Sequence, residues 1–224
     1  MLVNIAADAQ SALRAMLPSD VLVDGRLLDQ AYEGSLLPEE AEASAHFSSA
    51  RRAEFATGRI SLRNLLQHIS DSRSPVLIGD RREPLLPPGV RGTVTHCESL
   101  VLTAVAPAFL FDGIGIDVEL MQRFTPDLQS SLISQEEADF RPLDQTEQEW
   151  LSRCFTAKEA SFKAIYLLIG QYIDFTDMAL SFSGTHFCAR IIRKEIAASR
   201  VAISGTTMKL GEYMLAAAWI PASG

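Results

Sequence analysis

Two carboxylates stand close together in the segment Gly113–Glu119, which reads Gly-Ile-Gly-Ile-Asp-Val-Glu. If this segment is a strand, Asp117 and Glu119 share one face and the aliphatic side chains share the other. Neighbouring carboxylates repel each other unless a cation or a basic group neutralises them. Mg²⁺ suits such a pair, because it takes a few carboxylate oxygens and completes its shell with water and substrate phosphates. The same pattern also fits a plain solvated strand face, so both interpretations stay open.

A second charged group follows at Lys158, Glu159 and Lys163. Thr156 and Glu159 have the spacing of a capping box, which predicts that a helix begins here. A helix N-terminus attracts phosphate, so these side chains in the first turns would suit a metal–pyrophosphate group. Glu159 and Lys163 are also a favourable i,i+4 pair, which explains them without any chemistry.

The elements that must position these residues alternate between helix and strand in two similar rounds. Periodicity and turn residues predict helices at 6–16 and 146–166, the second with a break near Phe155, and one long or broken helix at 38–69 with a weak point at Gly58. A short helix is predicted after the capping box Ser134–Glu137. Strands are predicted at 21–23, 76–78, 93–95, 100–106, 113–119, 178–182, 187–193 and 213–220, with a turn at 96–99. The rounds separate near 107–112. This predicts an α/β or α+β fold in two halves, residues 1–110 and 111–224.

The composition narrows the function classes. A net charge of −8 argues against nucleic acid as the main partner, although a local basic pocket for a small anion is still possible. The three widely spaced cysteines suggest neither a disulfide framework nor a zinc site. The first residues do not resemble a signal peptide, and no apolar run approaches the roughly 20 residues of a membrane span. We therefore expect a cytoplasmic protein.

The two charged segments together resemble the paired signature of the 4′-phosphopantetheinyl transferase family. The first is Gly115–Glu119, and the second is Phe155–Ala160 with Lys163. Three more segments resemble the larger Sfp- and EntD-type branch of that family: Arg51–Arg59, Arg81–Pro84 with Pro87 and Gly89, and Gly92–His96. The chain departs from the pattern at Leu86, where an aromatic residue is usual, and at Thr93, where serine is usual. Both departures concern the fine shape of the nucleotide pocket.

The resemblance implies a fold, an activity and partners. The fold would be a pseudo-dimer of two similar α/β halves within a monomer, with the site between them. The activity would be transfer of phosphopantetheine from coenzyme A to a serine of an apo acyl, peptidyl or aryl carrier protein, with release of 3′,5′-ADP. Fatty-acid, polyketide, non-ribosomal peptide and enterobactin-type siderophore pathways would all supply such acceptors.

The resemblance also implies roles for particular residues. Asp117, Glu119 and Glu159 would bind Mg²⁺. A second role for Glu159, as the base that takes the serine proton directly or through a water, is not separated from its role as a ligand by the sequence. Lys158 and Lys163 would neutralise phosphate charge. The nucleotide end of coenzyme A would be held by Arg51, Arg59, Arg81, Thr95 and His96.

Two points stay open at this stage. On a helix, Arg52 lies about 20° from Arg59 whereas Arg51 lies about 80° away, so spacing favours Arg52 although the motif indicates Arg51. The segment 124–140 is where the family usually touches its acceptor, and its apolar residues predict a largely apolar contact there: Phe124, Leu128, Leu132, Ile133 and Phe140. Replacement of Leu132 by a charged residue is then expected to raise the KM for the carrier protein and to leave the affinity for coenzyme A unchanged.

Two other functions use the same residues. A metal-dependent phosphohydrolase would hydrolyse coenzyme A or a nucleotide without an acceptor. A non-catalytic module would bind coenzyme A or a carrier protein, but it would be expected to have lost a ligand, and all three carboxylates and both lysines are present.

Overall fold

The computed structural model describes residues 5–70, 73–80, 82–193 and 201–223. In these ranges the helices are α1 (Ile5–Met16), α2 (Pro38–Ala43), α3 (Ser49–Leu66), α4 (Gln129–Leu132), α5 (Gln135–Asp139) and α6 (Glu147–Ile169). The strands are β1 (Leu22–Leu27), β2 (Val90–Cys97), β3 (Leu100–Pro107), β4 (Phe111–Leu120), β5 (Met178–Ser183), β6 (His186–Ile191), β7 (Ile203–Leu210) and β8 (Tyr213–Pro221). Short 3₁₀ turns occupy Gln30–Ser35, Met121–Arg123, Pro126–Leu128 and Phe175–Asp177.

The strands form two antiparallel sheets with related topologies. One has the order β1-β3-β2 and the other the order β4-β8-β7-β6-β5. In each, a first strand is followed by a long helix and then by a hairpin whose last strand pairs with the first. The second half adds the hairpin β5–β6 at its outer edge. The fold is therefore α+β with two similar halves, as the sequence predicts.

The two halves meet along β2 and β4, which pack against each other. Helix α3 covers the first sheet and α6 covers the second, while α1 packs on β1, β3 and β7 and so bridges both sheets. Thr206 in β7 donates a hydrogen bond of 2.8 Å to the carbonyl of Met16 at the end of α1. Side chains of α1, β1, β3, β4 and β8 share one hydrophobic cluster. The halves are thus joined by a continuous core, and the β2–β4 junction is held in place from behind.

Two glycines let helix α6 lie directly on strand β4. A Cβ atom at Gly113 would sit 1.8 Å from the carbonyl oxygen of Ala164, and one at Gly115 would sit 1.9 Å from that of Ala160. No side chain fits in that space, so the close approach depends on glycine. The approach brings the middle of α6 next to Asp117.

Several predicted boundaries are wrong, and the reasons are local. Helix α6 runs unbroken and begins at the capping box of Thr146 and Glu149, so the predicted break near Phe155 is absent. Thr156 does not cap a helix; its hydroxyl donates 2.6 Å to the carbonyl of Ser152 one turn earlier. Lys158, Glu159 and Lys163 therefore lie inside the helix, and the expected phosphate site at a helix N-terminus is not there.

Other boundaries differ less. The predicted helix 38–69 is divided into α2 and α3, and β2 extends to Cys97, so His96 lies in a strand rather than in a turn. Residues 76–78 form no strand; Ile78 makes one isolated bridge to Pro84. Strand β7 was missed. In the described ranges, no helix combines the length and the apolar character needed to cross a membrane.

Candidate active site

Asp117 lies at the junction of the two halves. The hydroxyl of Thr95 on β2 donates a hydrogen bond of 2.9 Å to its Oδ1 atom. The ammonium of Lys163 on α6 donates a second hydrogen bond, of 2.7 Å, to the same atom. Lys163 also donates 3.1 Å to the carbonyl of Ile116. The residue is only 4% exposed, and its Oδ2 atom is buried without a hydrogen-bond partner among the described residues. A buried carboxylate oxygen without a donor is well placed to bind a cation.

Glu119 extends the acidic group toward solvent on the same strand face. Burial raises the pKa of Glu119, the charge of Asp117 adds to this, and Arg123 opposes it. Arg123 donates from Nη1 to Glu119 Oε2 at 3.2 Å and also pairs with Glu98. The thiol of Cys97 lies 3.8 Å from the same Glu119 oxygen, and burial raises its pKa to about 11, so it stays protonated. This thiol is uncharged beside the carboxylate.

Glu159 is the third carboxylate, and it reaches the site from α6. Burial raises its pKa, Lys163 lowers it, and Asp117 and Glu119 raise it further. The three carboxylates are therefore close enough to destabilise one another's charges, which a cation would relieve. Among the described residues, no group of three or more acidic, histidine or cysteine side chains is arranged so that it could hold a metal ion as it stands. Lys163 partly neutralises the acidic group through its ion pair with Asp117.

A second group of charges lies across the junction on the N-terminal half. Arg51 on α3 donates from Nη1 to His96 Nε2 at 2.9 Å and to Glu54 Oε2 at 2.8 Å. Burial lowers the pKa of His96; Glu54 opposes this, Arg51 and Lys163 lower the pKa further, and Asp117 raises it. Because Lys163 and Asp117 both act on this histidine, the basic group and the acidic group belong to one site.

The placement of Arg52 separates it from that site. Its guanidinium donates 3.3 Å to the carbonyl of Ser44 and 2.8 Å to that of Ala45, on the other side of α3. Arg51 is thus the arginine of the motif that contacts His96, whereas Arg52, which helical spacing favours, binds backbone carbonyls instead.

Arg59 has a role in the fold. Its Nε atom donates 2.6 Å to the carbonyl of Val76, and Nη2 donates 3.3 Å to that of Leu77. The guanidinium lies over the Phe55 ring, 4.2 Å from its centroid, and burial lowers its pKa to about 10. Arg59 was expected to contact the nucleotide directly, but its guanidinium is bound to backbone carbonyls and packed on a ring instead. Arg59 instead fixes the segment that leads into residue 82.

Lys158 points away from the carboxylates, contrary to the expectation that it neutralises phosphate. It is 1% exposed, and its ammonium donates 2.8 Å to Glu137 Oε2. It also donates 3.0 Å to the carbonyl of Leu132 and 2.9 Å to that of Phe175. All three ammonium protons have acceptors within the fold. Lys158 and Lys163 are five residues apart on α6, so the two lysines project from different faces of the helix.

A large cavity opens beside Lys163. Its volume is about 940 Å³, and it runs between the segment 82–94 and the second half of α6. Arg82, Phe162 and Tyr172 line it together with Lys163. The volume is within the range of sites for ligands of cofactor size. Arg81, predicted to bind the nucleotide, lies outside the described residues, immediately before this lining.

The predicted acceptor segment is largely core. Phe124, Leu132 and Ile133 are buried in one cluster with Trp150 and Leu151, and Leu128 packs against it. Only Phe140 of the five residues is strongly exposed, at 60%. The expectation of a broad apolar contact built from all five side chains is therefore wrong, because four of them hold the segment on α6.

We expect Leu132→Ala to destabilise the protein by roughly 2–4 kcal/mol, because it removes buried apolar volume. Leu143 is fully exposed in the loop before α6 and is the matched control. Leu143→Ala should change the free energy of unfolding by less than about 0.5 kcal/mol. Urea unfolding of both variants measures this. Equal effects would show that the segment does not pack as described.

Sequence reasoning missed several neighbours of the site. Glu54, Cys97 and Arg123 contact His96 or Glu119, and none was singled out. Cys97 had a usable signal, because it continues the alternation of Thr93 and Thr95 on one strand face. The predicted strand ended too early for that signal to be used.

Comparisons with known proteins give matches in both halves of the chain. Residues 39–106 match the model of the 4′-phosphopantetheinyl transferase N-terminal domain, and residues 113–218 match the model of the 4′-phosphopantetheinyl transferase superfamily. The chain is 34% identical over 192 residues to the 4′-phosphopantetheinyl transferase Svp of Streptomyces mobaraensis, an alignment that covers 80% of this chain and 76% of the relative. This chain belongs to the 4′-phosphopantetheinyl transferase family.

Two further relatives come from other bacteria. The 4′-phosphopantetheinyl transferase PptT of Mycobacterium tuberculosis is 30% identical over 175 residues, which is 77% of this chain and 74% of the relative. Enterobactin synthase component D of Salmonella typhi is 31% identical over 117 residues, which is 51% of this chain and 48% of the relative. This transferase is therefore an enzyme that moves phosphopantetheine from coenzyme A to a carrier protein.

Proposed function

We propose that Asp117, Glu119 and Glu159 bind Mg²⁺ together with the pyrophosphate of coenzyme A, and that Lys163 neutralises phosphate charge beside them. The observation that carries the proposal is the unpartnered buried Oδ2 atom of Asp117, whose other oxygen is held by Thr95 and Lys163. Bound Mg²⁺ would withdraw charge from the phosphoryl oxygens. The raised pKa values of Glu119 and Glu159 are expected where neighbouring carboxylates lie close together without a cation to neutralise them.

Coenzyme A would occupy the cavity of about 940 Å³, which reaches from Arg82 to Lys163. Arg51 and His96 would hold the nucleotide end, with Arg81 as a further candidate. Thr95 would contribute to coenzyme A binding only indirectly, because its hydroxyl donates a hydrogen bond to Asp117 and so fixes the position of that carboxylate. Residues 1–110 would thus supply most of the nucleotide contacts, and residues 111–224 the metal ligands.

The chemical step breaks a phosphoanhydride bond of coenzyme A and forms a phosphodiester bond to the carrier serine. The serine oxygen of the carrier attacks the phosphorus that bears the pantetheine arm, and the bond from that phosphorus to the bridging pyrophosphate oxygen breaks. The leaving group is 3′,5′-ADP. Glu159, whose raised pKa brings it closer to neutral pH, would accept the serine proton directly or through a water. Lys163 would stabilise the charge that develops on the phosphoryl oxygens.

One experiment separates this function from the alternatives. The protein is incubated with Mg²⁺, coenzyme A and several apo acyl and peptidyl carrier proteins, and each carrier is analysed by mass spectrometry. We expect a phosphopantetheine adduct on the serine of at least one carrier and release of 3′,5′-ADP. Release of nucleotide without an adduct would favour the phosphohydrolase, and no turnover of coenzyme A on any carrier would contradict the proposal. We also propose that the enzyme is monomeric and cytoplasmic.

The raised pKa values of Glu119 and Glu159 predict how metal binding depends on pH. Protons compete with a cation for these carboxylates, and a raised pKa means that the competition begins at a higher pH than for exposed glutamates. We therefore expect the Mg²⁺ concentration for half-maximal transfer to increase steadily as the pH falls from about 8 to about 5.5. Initial rates at several Mg²⁺ concentrations measure this. A constant requirement across that range would contradict the assigned ligands.

Arg51 and Arg52 offer a matched test of the nucleotide site. Arg51→Ala should weaken coenzyme A binding about 10-fold, because it removes an exposed guanidinium that faces His96. Arg52→Ala should change the affinity by less than about twofold, because its guanidinium is bound to backbone carbonyls elsewhere. Calorimetric titration with coenzyme A compares the two variants. A larger effect of Arg52→Ala would favour the assignment from helical spacing.

A further inference from the structure

A second cavity lies on the C-terminal half, away from the one beside Lys163. Its volume is about 700 Å³, and no residue lines both cavities. It is bounded by the segment 140–149, the β5–β6 turn and the end of β7. Thr207 in its wall pairs with Ala216, which in turn pairs with Asp117, so the cavity lies two strands, or about 10 Å, from Asp117 on the same sheet.

Arg153 of α6 forms part of the cavity wall, and its contacts are all uncharged. Nε donates 2.9 Å to the Thr207 hydroxyl, and Nη2 donates to the carbonyl of Gly184. The guanidinium lies over the ring of Phe182, 4.4 Å from the centroid, and the ring of Trp150 is 5.8 Å away. The residue is 6% exposed, and no carboxylate of the described residues lies within ion-pair distance of it.

A buried guanidinium without a counter-ion is unusual, because a desolvated charge is costly unless an opposite charge compensates it. A guanidinium carries five N–H donors, and protein acceptors take two of them here. The free donors form a planar fork that matches a carboxylate or a phosphate. The ring faces of Phe182 and Trp150 hold this fork in a fixed orientation.

The other charged groups of the cavity lie at its rim. Glu149 and Lys209 form an ion pair and neutralise each other. Burial lowers the pKa of Arg153, while Cys154 and the exposed Asp144 raise it. Gln145 also lines the cavity, and its amide oxygen is buried without a hydrogen-bond partner among the described residues. Turning that amide by 180° would present two N–H donors to the same space.

We infer that this cavity binds a small anion carrying a carboxylate or a phosphate, with Arg153 as its main ligand and Gln145 as a second. The volume is within the range of small-molecule sites. The site goes beyond the proposed transfer reaction, because none of its residues lines the coenzyme A cavity.

Calorimetric titration of the full chain with inorganic phosphate and, separately, with succinate tests the inference. Saturating coenzyme A is present throughout, so that the first cavity is filled. We expect saturable binding of at least one of the two anions by the wild-type protein. Arg153→Gln should weaken it at least 10-fold.

A second variant keeps the test decisive if Arg153→Gln does not fold. Thr185 is exposed on the β5–β6 turn and lines the cavity. Thr185→Phe fills the space with an apolar ring and leaves Arg153 in place, so it should also abolish binding. Thermal unfolding confirms that each variant is folded. The inference fails if neither anion binds the wild-type protein, or if a folded Arg153→Gln or Thr185→Phe variant binds as tightly as the wild-type protein does.

Discussion

Replacement of Asp117 by alanine is expected to lower the kcat/KM of phosphopantetheine transfer by about 10³-fold or more. Loss of one well-placed group that stabilises charge in a transition state costs about 10²–10³-fold, and a lost metal ligand adds to this. Asp117 combines two roles, since one oxygen orders Thr95 and Lys163 while the other is free for a cation. Asp117→Asn should be nearly as inactive, because it keeps the shape and removes the charge.

The control for this prediction is a neighbouring carboxylate that does not belong to the site. Glu98 is exposed and pairs with Arg123 at the edge of the acidic group. Glu98→Gln should leave kcat/KM within about twofold, since an exposed ion pair contributes little. Circular dichroism and thermal unfolding show whether the Asp117 variants are folded. A folded Asp117→Ala enzyme that retains a tenth of the wild-type activity at saturating Mg²⁺ would contradict the assignment.

The placement of Asp117 and Glu119 could be predicted because the information for it is local. Strand β4 alternates aliphatic and acidic residues, and that period places Asp117 and Glu119 on one face whatever the rest of the chain does. Gly113 and Gly115 of the same strand leave room for a close approach by another segment. The approaching partner, helix α6, could not be identified from these residues, because the contact joins segments that are far apart in the chain.

The start of helix α6 shows why local rules also fail. Thr146–Glu149 and Thr156–Glu159 have the same capping-box spacing, and the sequence alone does not distinguish them. Tertiary packing decides, because Trp150, Leu151 and Cys154 are buried and extend the helix upstream of Thr156. Because a helix start was predicted at Thr156, Lys158 was expected in the first helical turn, where it would contact phosphate.

In the segment 124–140, the apolar residues do not show from the sequence alone whether they are buried or exposed. An apolar side chain in a short irregular segment fits both a contact surface and a core. The contacts of Leu132 and Ile133 with Trp150 settle which of the two applies. The buried charges settle it as well, because Lys158 on α6 binds both Leu132 and Glu137 of this segment.

Replacement of Lys158 by methionine is expected to destabilise the protein by roughly 3–5 kcal/mol, since it leaves the buried carboxylate of Glu137 without its partner. Glu137 also accepts hydrogen bonds from the backbone N–H groups of Ser134 and Leu180. Without the lysine, the uncompensated charge of Glu137 should therefore weaken the packing of α5 and of β5. Lys209→Met is the matched control, because Lys209 pairs with Glu149 at the surface. It should cost less than about 1 kcal/mol. Urea unfolding compares the two.

Glu137→Gln distinguishes a structural lysine from a phosphate ligand. If Lys158 acts through the buried pair, either partner's loss destabilises the protein, and a double variant with Lys158→Met costs less than the sum of the two single changes. Coenzyme A binding by the folded fraction should then stay within about threefold of wild type in all three variants. A phosphate ligand would behave differently, because Lys158→Met would weaken coenzyme A binding while Glu137→Gln would not. Additive losses of stability, or a Lys158→Met enzyme that is stable but binds coenzyme A at least 100-fold more weakly, would restore the role that the sequence motif suggested.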